Sequence, residues 1–112
     1  MTADNDGSSD NQPETLDLLS LGPSDFEAWI DTSWSCQLPD GSTTLLLKRV
    51  ERLGGTQGEG GRPYAVLFEG SPDLPLTQGT YRLENPQNGA LFIFLVPLAP
   101  SRSAPTYEAV FN

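Results

Sequence analysis

The sequence predicts an all-β domain: a small antiparallel six-stranded barrel or sandwich with one short N-terminal helix. Three observations predict it. From Thr32 onward apolar and polar residues alternate with period two, beginning with Trp34, Cys36 and Leu38 against Ser33, Ser35 and Gln37. Turn signals recur at Pro39-Asp40-Gly41 and at Asn85-Pro86-Gln87-Asn88-Gly89. The chain has 112 residues, room for one domain.

Each element follows in order. Residues 1–12 hold almost nothing to bury and read as a disordered acidic arm. Residues 13–23 continue the arm with a leucine cluster, Leu16, Leu18, Leu19 and Leu21. Residues 24–112 form the single β domain. Ser24 with Glu27 three positions later has the capping-box pattern, which predicts a short helix over 25–30 with Phe26, Trp29 and Ile30 facing the body.

The first strand is Trp34 to Leu38, and Pro39-Asp40-Gly41 turns it into a second over 43–53. Five glycines within 54–61 predict a mobile connector. Strands follow over 64–69 and 79–84, joined by a proline-rich loop. Asn88-Gly89 suits left-handed backbone and closes a hairpin onto Ala90 to Leu98. That segment is apolar without alternation, so it is either covered on both faces or presents an outer face to a partner. Pro97 bends or ends it. The last strand is 106–111. The expected core comprises Trp34, Leu38, Leu45, Leu47, Val50, Val66, Phe68, Tyr81, Leu83, Phe92, Phe94, Val96, Tyr107 and Phe111.

Composition excludes much chemistry. There is no histidine, so no histidine base and no histidine-liganded metal. The single cysteine, Cys36, allows no internal disulfide; at an inward strand position it reads as a buried thiol rather than a nucleophile. Net charge is -9, which argues against nucleic acid and anionic membrane surfaces. Eight acids and no base lie in residues 1–31, leaving a nearly neutral body. The glycine connector lacks the Lys-Ser/Thr ending of a phosphate loop. Residues 1–12 do not read as a signal peptide, the longest apolar run, Ala90 to Leu98, is too short to span a bilayer, and a reduced thiol fits synthesis in the cytoplasm, with non-classical export left open. No cofactor or metal is expected.

Three functional classes remain. An interaction module would use Leu16, Leu18, Leu19 and Leu21 of the arm with Phe92, Phe94, Tyr107 and Phe111 of the last hairpin, through backbone pairing at a strand edge. The alternative for the arm is that it packs on its own body and covers an open edge. A small carbohydrate- or ligand-binding domain would stack a saccharide on Trp29, Trp34, Tyr64, Tyr81 and Tyr107. A hydrolase would need two of Glu69, Asp73, Glu84 and Glu108 facing across a cleft. The first is favoured, with a homodimer through an edge strand as a further option.

The C-terminal half carries a resemblance. Leu76-Thr77-Gln78-Gly79-Thr80-Tyr81-Arg82-Leu83-Glu84-Asn85-Pro86, then Gly89, then Phe94-Leu95-Val96-Pro97-Leu98, closes on Tyr107-Glu108-Ala109-Val110-Phe111-Asn112. This resembles a family of short bacterial proteins of uncharacterised function encoded beside phage-tail-collar fibre proteins, of the kind once called microcystin-dependent. Phe26, Leu45-Leu46-Leu47 with Val50 and Glu51, and Tyr64 to Gly70 fit more loosely. The resemblance covers about residues 24–112 and carries over no catalytic residue. It implies a partner of the tail-collar fibre type, with this chain as assembly factor or minor component, by gene neighbourhood rather than by site chemistry.

Overall fold

The computed structural model describes residues 14–53, 63–98 and 104–112. The predicted acidic segment 1–12 and the glycine connector 54–61 lie outside the described residues. Six antiparallel strands form: β1 Ser33–Leu38, β2 Gly41–Arg52, β3 Tyr64–Glu69, β4 Gly79–Asn85, β5 Gly89–Pro97 and β6 Thr106–Phe111. They close into a barrel in the order β1-β2-β3-β6-β5-β4. Closure resolves the choice between barrel and sandwich. It also supplies the strand order, which local patterning does not encode.

The strands lie where period two places them. Leu38 pairs with Gly41, so Pro39 and Asp40 make a two-residue connection, and Gly41 sits at φ +155°. On β2 the inward residues are Leu45, Leu47 and Val50, a spacing of two and then three. The pairing explains the step: Leu47 opposes Phe68 and Arg49 opposes Leu67, leaving Lys48 as a bulge. A bulge bends a long strand around a closing barrel without turning its apolar face outward.

One end of the barrel is closed by the helix. Helix α1 spans Pro23–Glu27, earlier than predicted, because Gly22 is its N-cap and Pro23 occupies the first helical position. Asp25, not Glu27, accepts the Gly22 N–H, at 2.8 Å. Glu27 is bound instead by Arg52 of β2, through Nη2 at 2.8 Å and Nε at 3.0 Å, and those hydrogen bonds hold its carboxyl below the usual carboxylate range. Phe26 is fully buried and Trp29 half-buried, while Ile30 is exposed, contrary to the expectation that all three face inward. Phe26 contacts Trp29, Phe111 and Tyr64, with ring centroids 5.4, 5.4 and 6.0 Å away.

At the opposite end the loop over 70–78 folds down, and the Leu76 N–H donates to the buried Tyr107 hydroxyl at 2.8 Å. Between the two caps lies a core of Trp34, Cys36, Leu45, Leu47, Tyr64, Val66, Phe68, Leu83, Leu91, Ile93, Leu95 and Tyr107. The buried Trp34 indole keeps a partner, donating to Thr32 Oγ1 at 2.8 Å; that hydroxyl donates on to the Trp29 carbonyl at 2.6 Å.

Burial pushes the Cys36 thiol up from 9.0 to about 11. Between those values the unfolded chain ionises its thiol while the native chain does not. The native state is therefore fully stable in this respect below pH 9 and loses stability as pH rises toward 11, by at most roughly 3 kcal/mol. Urea titrations should show this alkaline slope in the wild type and a shallower one in Cys36→Ala. Equal slopes would contradict a buried thiol at this position.

Candidate interaction surface

The barrel wall is uneven. β4 and β5 pair over seven residues, Gly79 to Asn85 against Gly89 to Leu95. β5 and β6 pair only at Val96–Glu108 and Pro97–Tyr107 among the described residues, extended by the Leu98 N–H to Thr106 at 2.9 Å. Toward the α1 end these two strands part. Ala90, Val96 and Leu98 direct their backbone groups away from β4, so the alternation aims the N–H and C=O of Phe92 and Phe94 at the same gap.

The arm enters that gap. The Leu16 N–H donates to the Ala90 carbonyl at 2.8 Å, and the Ala90 N–H donates to the Glu14 carbonyl at 2.9 Å. Thr15 thus bridges to Ala90 in parallel. Arg82 Nη1 donates to Thr15 Oγ1 at 2.9 Å, while Arg82 Nε holds Glu84 at 2.6 Å and the guanidinium lies 5.4 Å from the centre of the Phe92 ring. Leu16, Leu18 and Leu21 pack against the core; Leu19 is 84% exposed. This is the edge-covering arrangement, with the arm on its own barrel.

Gly89 is required here twice. Its φ of +121° disfavours a side chain, and a Cβ would approach Leu16 Cγ to 3.0 Å and the Glu14 carbonyl to 3.1 Å. Asn88, read as a second left-handed position, is not one: among the described residues the non-glycine residue with positive φ is Asp31, at +74°. Asn85 organises the turn instead. It is buried, accepts the N–H groups of Gln87 and Asn88 at 2.9 and 3.0 Å, and donates to the Ser33 carbonyl at 3.0 Å.

The predicted partner-facing residues divide. Phe92 and Phe94 are 51% and 50% exposed, so they are not the core residues that the uniform apolar run implied. β5 does alternate, with Leu91, Ile93 and Leu95 inside; apolar residues on both faces hid the period. Tyr107 and Phe111 turn inward. Tyr107 is fully enclosed, and Phe111 stacks on Tyr64 at 4.8 Å and Phe26 at 5.4 Å. The outward residue between them, Val110, was missed and is 49% exposed. Leu18, Phe94, Val96 and Val110 line a groove of about 370 Å³ along the seam.

The other two site readings do not assemble. Trp34, Tyr64 and Tyr107 are buried in the core, so no five-ring stacking face exists. Glu84 is paired with Arg82, Glu69 and Glu108 occupy outward strand positions, and Asp73 is exposed in the 70–78 loop. A pocket of about 490 Å³ between the β1–β2 turn and the 70–78 loop contains one carboxylate, Asp40, and one aromatic ring, Tyr81. No group of three or more cysteine or acidic residues placed to hold a metal ion occurs among the described residues. No helix among them is long and apolar enough to cross a membrane.

No curated protein and no solved structure matches the chain. Residues 21–111 match the model of a family described as a domain of unknown function, DUF6916. The matched range takes in α1 and all six strands, from the helix that caps the barrel to the last residue of β6. The chain therefore belongs to the DUF6916 family.

Proposed function

We propose that this domain is a non-catalytic interaction module that binds another protein along the β5–β6 seam. The observation that carries the reading is the coincidence of an incompletely paired β5 edge with outward Phe92, Phe94 and Val110. Half-exposed aromatic rings beside backbone groups that have no strand partner among the described residues combine the two sources of affinity in strand addition: main-chain hydrogen bonds, and pockets for alternate side chains. The partner class rests on the resemblance of the C-terminal half, which points to a tail-collar-type fibre protein with this chain as assembly factor or minor component. A homodimer formed through an edge strand would use this same seam.

Co-purification with a tail-collar-type fibre protein from the same organism tests the reading. The wild-type chain should retain the fibre protein, and Phe92→Asp/Phe94→Asp should lose it while keeping its urea midpoint. A complex that survives the double substitution, or no complex at tens of micromolar, would refute it.

A further inference from the structure

The seam already has an occupant, and that occupant defines what else fits. The arm runs parallel to β5 for one bridge, Thr15 to Ala90, with Leu16 over Gly89. Two residues on, Leu18 reaches the groove beside Phe94 and Val110. There the arm leaves: Leu18–Ser20 forms a 3-10 turn, with the Leu19 N–H capped by the Asp17 carboxylate at 3.0 Å. The β5 edge and its groove continue past this exit toward Val96. The family match begins at residue 21, so the seat lies within the matched domain and the segment filling it lies before it.

We infer that Thr15–Leu18 is a replaceable occupant of a strand-acceptor site on β5. The site accepts an extended segment of another protein that carries large aliphatic side chains two residues apart and pairs parallel to β5 in the arm's place. The inference rests on the proposed interaction function and adds how the seam is gated. A segment parallel to β5 is antiparallel to β6, so it meets compatible backbone on both sides of the gap. The spacing of two is set by the seat, with one side chain over Gly89 and the next in the groove. Because the arm is tethered, a partner competes with a segment at high effective concentration, and apparent affinity is reduced by the fraction of time the arm is docked.

The test uses the full-length chain and a fluorescent peptide with the sequence of residues 13–21. In Leu16→Asp/Leu18→Asp the arm is released while the seat is intact. This variant should bind the peptide at least about tenfold more tightly than the wild type does. Its Ala90 amide should exchange faster with solvent and regain protection when peptide is added. Adding Phe94→Asp should abolish the binding. Should the double variant fail to fold, Leu16→Pro, which removes the donor to Ala90, replaces it.

Equal peptide binding by the released and wild-type chains would overturn the inference, as would binding indifferent to Phe94→Asp. Dimerisation of the released variant in place of peptide capture would also overturn it, because the seat would then take a second copy. If the peptide fills the released seat but the fibre protein binds neither form, the acceptor site stands and the proposed partner falls. If the fibre protein binds wild type and released chain alike, the interaction function stands and the gating falls.

Discussion

Phe26→Ala should destabilise the domain by about 3–5 kcal/mol, the largest effect expected of any single truncation outside the strands. The side chain is fully buried, and its ring meets Trp29, Tyr64 and Phe111 at the barrel end. These partners come from the turn after α1, the start of β3 and the end of β6, so no one element can collapse into the space left behind. A domain of this length has roughly 5–10 kcal/mol of stability in all. The variant should therefore show a large fall in urea midpoint and weakened near-ultraviolet dichroism from its packed aromatic rings. Phe94→Ala is the control. It removes the same atoms from a half-exposed site and should cost less than about 1 kcal/mol. Equal losses at the two positions would contradict a barrel end plugged by α1.

Asn85→Ala should cost about 2–4 kcal/mol, unusual for a residue in a turn. The pairing that closes the barrel between β1 and β4 is short, Ser35–Glu84 and Cys36–Leu83. Asn85 extends it with the bond to the Ser33 carbonyl, and its other end orders the β4–β5 turn by accepting two backbone N–H groups. Truncation breaks all three bonds and leaves polar groups at a buried position unpaired. Asn85→Asp keeps the acceptors for Gln87 and Asn88 but turns a carboxylate toward the Ser33 carbonyl, so it should fall between wild type and alanine. Urea denaturation orders the three proteins. An alanine variant within about 0.5 kcal/mol of wild type would mean that the turn forms without this side chain.

Much of this architecture was legible in the residues. Where inward and outward positions differ in polarity, as in β1 and β2, the strand and its face both followed from alternation. The irregular spacing of Leu45, Leu47 and Val50 was legible as core, and the bulge at Lys48 supplies its geometry. β5 was legible as a strand but not as to face, because Phe92 and Phe94 are as apolar as Leu91 and Ile93. Periodicity reports a face only when the two faces differ. The same limit placed Phe111 with the partner-facing residues, although its ring belongs to the α1 plug.

Two features had no local signal. The bond from Asn85 to Ser33 spans 52 residues, and turn chemistry alone accounts for an asparagine there. The arm's seat depends on β5 and β6 parting at one end, a property of closure rather than of either strand. The leucine cluster marked the arm as apolar, and the requirement for glycine at position 89 was read as turn geometry alone. The structure adds its second cause, the close approach of Leu16.

Hydrogen exchange on the full chain, with and without a tail-collar-type fibre protein, tests most directly whether it acts by docking at the seam. Amides over Ala90–Val96 and Glu108–Val110 should gain protection on binding, while those of Thr15 to Leu18 lose it. Protection gained instead around the β1–β2 turn and Leu76, or at no site on the barrel, would contradict the account.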